Sequence, residues 1–353
     1  MIVVMNGTNS SKFWTIAREH EKLADAMHYA IGVAFVLIML ISTLGNGGVM
    51  YVFIRTRNLR TPNYFLVSAL CLGDFLMSTL GMPMFITSCF FTRWILGRVG
   101  CLVYGTLMTF LGLSQITLLA SIAFTRYRYV VNNCSIDTLF AKIVVIMCYL
   151  YAFIFSLAPL FGWSRPVVEP IGTSCGPNWA GTEPRDVSYN LTIFVLCFFV
   201  PLSIITFSYF MIYLKIKRKR IHKKNDGYEN HVTVTILLMI VAFLLSWSPY
   251  AALAMYVIIT KNSTMHLALS SVPVVLAKTA PLWNPYIYFV RDRRFNKECE
   301  KLLPIFKKLG IFESHRTEQH EWHQMGDTSS TNVPLCEHEK QKTVADLKKA
   351  RTF

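Results

Sequence analysis

The chain has 353 residues, of which 53% are hydrophobic and 16% are charged, against about 25% charged residues in an ordinary soluble domain. This composition argues against a soluble protein and excludes disorder and a collagen-like fibre. The formal net charge of +15 does not indicate nucleic-acid binding. Much of it falls between apolar segments and in the C-terminal tail, where membrane proteins carry positive charge.

Long stretches without charged side chains predict seven membrane-spanning helices. Five of them contain no Asp, Glu, Lys or Arg, and two contain a single such residue, Asp74 and Lys278. A helix needs about 20 apolar residues to cross a bilayer, and in lipid it must satisfy its own backbone hydrogen bonds. The predicted spans are, in chain order, Tyr29–Ile54, Thr61–Thr92, Val99–Thr125, Ile143–Ser164, Val187–Leu214, Val232–Thr260 and Asn262–Val290.

The distribution of Lys and Arg predicts which side of the membrane each loop occupies. The N-terminal tail and the second, fourth and sixth loops carry eight of these residues. The first, third and fifth loops with the adjoining helix ends carry thirteen, and the C-terminal tail carries thirteen more. Because positive residues concentrate on the cytoplasmic side, the N-terminus is expected outside. There Asn6 and Asn9 begin two glycan acceptor sequons.

Most of the predicted spans carry features that are ordinary alone but specific together. A proline in a membrane helix is often only a kink, and an arginine at a helix end is often only a positive-inside charge. The features are, in chain order, Gly45-Asn46, Asp74, Thr125-Arg126-Tyr127, Pro201 with Tyr209, Trp247-Ser248-Pro249-Tyr250, and Asn284-Pro285-Tyr286-Ile287-Tyr288. In this order they resemble the rhodopsin-like class of G-protein-coupled receptors, over roughly Tyr29 to Leu303.

The resemblance implies an all-α, seven-transmembrane helix bundle in the cell membrane, with the N-terminus outside and a short cytoplasmic helix 8. We expect an extracellular tail over residues 1–28, the bundle with helix 8 over 29–303, and a cytoplasmic tail over 304–353. The implied partners are a heterotrimeric G protein, arrestin, a receptor kinase and the lipid bilayer. Neither nucleic acid nor an enzymatic activity is expected.

The resemblance also assigns a conformational switch to the cytoplasmic half of the bundle. A pair between Arg126, at the end of span three, and Glu229, at the base of span six, would hold the helices closed. Thr125 precedes Arg126 where the class usually has Asp or Glu, which weakens the expected lock. Span four carries Tyr149 where the class usually has Trp. The remaining expected switch residues are Asp74, Tyr209, Asn284, Pro285 and Tyr288.

Lys278 stands alone in the predicted seventh span, seven residues before Pro285. A lone ammonium in the membrane is costly unless it has a partner or reacts, and this one is too far from either end of the span to reach water. A desolvated amine is suited to condensing with an aldehyde to give a Schiff base. The segment Ala277-Lys278-Thr279-Ala280 resembles the retinal-attachment segment of animal opsins. It implies retinal on Lys278, 11-cis in the dark and all-trans after light.

A protonated Schiff base in a low dielectric needs a negative partner. Location leaves three acids in the second outer loop, Glu169, Glu183 and Asp186. Glu169 lies six residues before Cys175 and resembles the loop counterion of invertebrate and non-visual opsins. Vertebrate visual pigments instead use a Glu at the position of Tyr104. In the alternative reading Glu169 is a solvated loop acid, and chloride or water lies beside the imine.

The pairing of Cys101, at the start of span three, with Cys175 suits the oxidising side of the membrane. Such a disulfide would hold the second outer loop as a lid over the bundle. The rest of the pocket is carried over from the resemblance by position. It consists of Gly105, Thr109, Gly112, Trp179, Phe198, Trp247 and Tyr250.

These residues predict a light-activated receptor in which retinal on Lys278 isomerises and a cytoplasmic site opens to a G protein. Two alternatives stay open. A receptor for a diffusible ligand would use Lys278 to bind an anionic group. A retinal photoisomerase would supply chromophore rather than signal. The intact Arg126-Tyr127 and Asn284-to-Tyr288 motifs argue against it, and Thr125 argues weakly for it.

Overall fold

The computed structural model describes residues 7–221, 227–260, 267–291 and 293–302. For residues 7–23, 58, 219–221, 227–231, 267–270 and 293–294 it describes the backbone alone. Most of the described chain is helical, and a two-stranded sheet lies in the loop between the fourth and fifth spans.

The helices follow the predicted spans in order, and a short eighth helix comes after the last span. Among the described residues, six helices are long and apolar enough to cross a membrane, and the seventh span consists of two shorter halves. The helices are α1 (Gly7–Arg55), α2 (Pro62–Phe90), α3 (Gly97–Asn132), α4 (Thr138–Leu157), α5 (Pro184–Arg218), α6 (Gly227–Thr260), α7 (Leu267–Lys278 and Ala280–Arg291) and α8 (Arg293–Leu302). Turns of π-helix interrupt α2 at Met77–Gly81 and α5 at Ile193–Phe199.

The N-terminal segment is more helical than the expected tail. α1 begins at Gly7 and continues without a break into the first span. No Pro or Gly lies between Gly7 and Gly32, and residues 17–26 contain mainly Ala, Glu, Lys, Arg and Leu, which favour a helix. Asn6 and the side chain of Asn9 lie outside the described part of the chain, so the two sequons stay predictions.

The seventh span is interrupted at Thr279, directly after Lys278. The Thr279 amide donates to the Leu276 carbonyl oxygen at 3.0 Å, which is a tighter turn than that of an α-helix. Pro281 has no amide hydrogen, and its ring disfavours continuous helical geometry just before it. In its described part, the predicted span Asn262–Val290 therefore consists of two helices that meet at Thr279. The break places Lys278 at a helix end in the middle of the bundle.

Apolar side chains pack inside the bundle and also cover its outside. Leu66, Leu70 and Leu118 are fully buried between α2 and α3 in the cytoplasmic half. Phe35 and Phe85 are buried in the outer half, and other large apolar side chains are exposed, among them Ile146, Leu150 and Phe153 on α4. Exposed apolar rows of this kind fit a surface that faces lipid, because lipid tails are as apolar as these side chains and their exposure there carries no free-energy penalty.

Tyr149 joins α4 to α2 through a hydrogen bond that a phenylalanine could not make. Its hydroxyl donates to the Ala69 carbonyl oxygen at 2.7 Å, and its ring lies 5.9 Å from the ring of Phe110 on α3. The side chain therefore ties three helices together at the position where the class usually has Trp.

We expect Tyr149→Phe to lower the free energy of unfolding by about 0.5–1.5 kcal/mol, because the bond is lost while the ring packing is kept. The measurement is the thermal unfolding midpoint of the purified protein. Tyr213→Phe on α5 is the matched control, since that ring is exposed. Equal midpoints for the two variants would show that the Ala69 bond contributes nothing.

The loop between α4 and α5 folds back over the bundle as a small sheet. Strand β1 (Pro166–Val168) pairs antiparallel with β2 (Cys175–Pro177), with Val167 opposite Gly176. A disulfide joins Cys175 to Cys101 at the start of α3, with the two Cα atoms 5.4 Å apart. The predicted pairing is confirmed, and we call residues 166–179 the lid.

Candidate functional site

An apolar cavity of about 130 Å³ lies between the lid and helices α3, α5, α6 and α7. All of the residues that the sequence assigned to the pocket line it: Gly105, Thr109, Gly112, Glu169, Trp179, Phe198, Trp247, Tyr250 and Lys278.

The sequence analysis missed several lining residues that are helical neighbours of the predicted ones. Ile116, Phe194 and Phe243 also line the cavity. They lie four residues from Gly112, Phe198 and Trp247 respectively. Because residues four apart share a helix face, extending each prediction by one turn would have found them.

Lys278 and Glu169 form a buried ion pair at one wall of the cavity. The Lys278 Nζ atom lies 3.6 Å from Glu169 Oε2, and the two side chains are 10% and 6% exposed. Lys278 reaches this place because the break in α7 ends the helix at that residue. Glu169 reaches it because the disulfide holds β2 against α3. The predicted lysine and loop acid thus meet, although they lie on different elements.

Hydrogen bonds hold the Glu169 carboxylate from the lid and from α6. The Tyr250 hydroxyl donates to Oε1 at 2.7 Å, and the Ser174 hydroxyl donates to Oε2. Trp179 Nε1 in turn donates to the Tyr250 oxygen at 2.9 Å. We call this series of contacts, from Trp179 through Tyr250 and Glu169 to Lys278, the polar chain. It connects the lid, α6 and α7 across the outer end of the cavity.

Two predicted glycines make room for protein side chains. A methyl group on Gly105 would lie 2.8 Å from Pro166 Cβ of the lid, and one on Gly112 would lie 3.0 Å from Trp247 Cη2. The expectation was that these positions let a ligand approach the backbone. In the structure, Pro166 of the lid packs against Gly105, and the Trp247 ring packs against Gly112. Both glycines also line the cavity.

The other two loop acids have partners of their own. Glu183 pairs with Arg185 at 2.7 Å, and both side chains are about half exposed. Asp186 is buried and accepts a hydrogen bond from Asn178 at 3.0 Å. Neither lines the cavity, whereas Glu169 does.

We expect replacement of Cys101 or Cys175 by Ser to reduce surface expression and binding of added retinal severalfold. A disulfide contributes roughly 2–4 kcal/mol, and this one also holds Glu169 beside Lys278. The measurements are cell-surface labelling and the yield of purified protein that absorbs visible light. Cys148→Ala is the control, because that thiol is buried and free. Normal yield from both serine variants would show that the lid is held some other way.

The residues expected to form the cytoplasmic switch are partly brought together. The Asn284 amide donates to Asp74 Oδ2 at 2.6 Å, which links α7 to α2. Arg126 Nε donates to the Thr233 hydroxyl of α6 at 3.1 Å, and the Tyr209 hydroxyl contacts the Thr233 carbonyl oxygen at 3.4 Å.

Thr233 therefore adds an unpredicted contact between α3 and α6. The side chain of Glu229 lies outside the described residues, so its pairing with Arg126 stays a prediction. Pro285 and Tyr288 are buried in the second half of α7, and the Tyr288 ring lies 6.4 Å from that of Phe295 on α8. The hydroxyl of Thr125 donates within α3, to the Ile122 carbonyl oxygen at 3.0 Å.

Comparison with solved structures gives the same architecture. The crystal structure of squid rhodopsin superposes with a TM-score of 0.76 at 26% sequence identity. The match covers 86% of this chain and 93% of the squid protein.

Sequence comparison finds melanopsins and a rhodopsin among the proteins similar to this chain. Human melanopsin is 31% identical over 312 residues, which are 82% of this chain and 65% of melanopsin. Melanopsin of Phodopus sungorus is 31% identical over 306 residues, covering 81% and 64% respectively. This chain thus spans just under two thirds of the length of these melanopsins. A G0-coupled rhodopsin of Mizuhopecten yessoensis is 32% identical over 304 residues, covering 80% of this chain and 74% of the relative.

The family model described as 7 transmembrane receptor (rhodopsin family) matches residues 45–288, which include every predicted switch residue and Lys278. The seven spans, the outer disulfide and these matches agree. The chain is a multi-pass protein of the cell membrane and belongs to the rhodopsin family of seven-transmembrane receptors.

Proposed function

We propose that this receptor is activated by light, with retinal held covalently by Lys278, and that it signals to a heterotrimeric G protein. The observation that carries the proposal is the buried Lys278–Glu169 pair, 3.6 Å apart, at the wall of an apolar cavity. A receptor for an anionic diffusible ligand would need Lys278 to be available, but its charge is already matched inside the protein.

The residues present fit retinal. The cavity offers one primary amine, one carboxylate and a lining of apolar and aromatic side chains, which suits a long apolar aldehyde. Retinal supplies the absorption of visible light and a change of shape on isomerisation, from 11-cis in the dark to all-trans. Lys278 would hold it, Glu169 would balance the positive charge, and Trp247, Phe198 and the lid would pack against its apolar part.

The protein can convert a change of cavity shape into movement of α6. Trp247 lines the cavity, rests on Gly112 of α3 and stacks on Phe243 one turn further towards the cytoplasm, with centroids 5.9 Å apart. Further along the same helix, Thr233 accepts the hydrogen bond from Arg126. Pressure on Trp247 therefore favours a conformation in which this contact opens, and a ligand that fits one of two conformations shifts their populations.

The test is light-dependent nucleotide exchange by purified G protein in the presence of the receptor and 11-cis retinal. Because one relative is named as G0-coupled, G0 is the first transducer to test. We expect exchange in light and little in darkness. A visible pigment that isomerises without any exchange, with each class of G protein, would favour the photoisomerase. The absence of a visible band after incubation with retinal would favour a diffusible ligand. Arrestin and a receptor kinase are proposed as further partners of the illuminated form.

A further inference from the structure

The Lys278 ammonium lies over two aromatic rings as well as beside Glu169. Its Nζ atom is 5.1 Å from the centroid of the Phe85 ring on α2 and 5.9 Å from that of the Tyr104 ring on α3. Both distances fall within the ~6 Å at which the negative face of a ring attracts a cation. The two rings are almost completely buried, so water does not screen the attraction.

Other aromatic side chains fix the orientation of both rings. Phe35 of α1 contacts Phe85 edge to face, with centroids 5.1 Å apart and an interplanar angle of 81°. Trp94 packs against Tyr104 at 5.3 Å. The residues that line the cavity do not include Phe85 or Tyr104. The rings therefore lie behind the lysine, where they can act on its charge without packing against a ligand.

The carboxylate that faces Lys278 is shared with other donors. Glu169 accepts hydrogen bonds from Tyr250 and Ser174 in addition to its contact with the ammonium. Each of these donors stabilises the negative charge of the carboxylate. Each therefore also weakens the attraction that the carboxylate exerts on the Lys278 ammonium. An aromatic face attracts a cation but accepts no proton at any ordinary pH. Its contribution is independent of the protonation of Glu169.

We infer that Phe85 and Tyr104 form an aromatic box that stabilises the cationic nitrogen at Lys278, with Phe85 as the main positioning residue. For the retinal-bound protein this inference rests on the proposed function, whereas for the free lysine it stands alone. The ordinary explanation is that Phe85 only fills space, and in that case any apolar group of the same shape would serve equally well.

Progressive fluorination of Phe85 separates the two explanations, because fluorine withdraws electron density from the ring face and changes its shape little. In purified pigment we expect the pH at which half of the visible band is lost to fall stepwise. The total fall should be about one pH unit, or tenfold in proton affinity, from the unmodified to the fully fluorinated ring. Phe85→Leu should give a fall of similar size, and Phe85→Tyr should restore the unmodified value.

The matched control is the same fluorination series at Phe35, which contacts the Phe85 ring and is equally buried. There we expect a trend several times smaller, because fluorine on Phe35 acts on the nitrogen through its contact with the Phe85 ring. A flat series at Phe85, or equal trends at the two positions, would overturn the aromatic box.

A second readout needs no retinal. In the ligand-free protein, the side-chain nitrogen resonance of Lys278 can be identified by its loss in Lys278→Arg. The pH at which it loses its proton should fall along the Phe85 series as in the pigment. If the unmodified chain forms no pigment, the proposed function fails while this titration still decides on the box. If pigment forms and both readouts are flat, the box fails and the proposed function stands.

Discussion

Lys278→Ala and Lys278→Arg are expected to abolish formation of a visible pigment completely. Alanine has no amine, and the guanidinium of arginine stays protonated and does not condense with an aldehyde. The measurement is the absorption spectrum of purified protein after incubation with 11-cis retinal. Acid denaturation should leave no retinal attached to either variant, whereas the unmodified chain should retain it.

The alanine variant needs a control for folding, because it leaves the buried Glu169 carboxylate without its cation. An uncompensated buried charge typically costs about 3–5 kcal/mol. The double variant Lys278→Ala/Glu169→Gln removes both charges and should reach the cell surface normally, still without pigment. Lys142→Ala, at an exposed position on α4, should form pigment as the unmodified chain does. A light-sensitive visible band in either single variant at Lys278 would refute the covalent site.

The course of the chain through the membrane could be predicted because lipid imposes a simple requirement. Uncharged stretches that are long enough to cross the bilayer must be helices, and this requirement predicts where the spans lie. Asp74 and Lys278 are the two charged residues within the predicted spans. Local geometry inside a span is not determined by that requirement. The break at Thr279 depends on Pro281 and its neighbours. A hydropathy scale does not distinguish Pro281 from the other residues of the span. Hydropathy therefore predicts the span but not the break within it.

The candidate site could be predicted where its residues lie at fixed spacings along one helix. Trp247 and Tyr250 line the cavity as expected, as do Lys278 and the loop acid Glu169. The hydrogen bonds that connect them could not be predicted. Tyr250 and Glu169 lie 81 positions apart, and they meet only because the lid folds over α6. The same applies to Phe85, which sequence gives no reason to place under Lys278.

The polar chain suggests how one charge can serve both stability and signalling. In this structure, Glu169 connects Lys278 of α7 to Tyr250 of α6, three residues from Trp247. A change in the position of the Lys278 nitrogen would therefore alter a hydrogen bond on α6, the helix that we propose to move. This coupling acts through direct contacts and needs no long path through the protein.

Glu169→Gln is expected to move the absorption band of the pigment from the visible to the ultraviolet at pH 7.5. An ion pair near 4 Å is worth about 4 kcal/mol at an effective dielectric constant of ~20, or roughly a thousandfold in proton affinity. The carboxylate lies 3.6 Å from Lys278 Nζ and favours the protonated imine, so its removal favours the neutral one. Acidification should restore the visible band, and added chloride should restore it in part by replacing the lost charge.

Glu183→Gln is the matched control for this variant, because Glu183 is a lid-proximal acid that pairs with Arg185 and lies outside the cavity. It should keep the visible band at pH 7.5. For the unmodified pigment, the resemblance to opsins with a loop counterion implies that the all-trans product stays attached and protonated after light. A second flash should then regenerate the dark spectrum without fresh retinal. If Glu169→Gln keeps its visible band at pH 7.5 without chloride, the counterion lies elsewhere, and Glu183→Gln and Asp186→Asn become the variants that locate it.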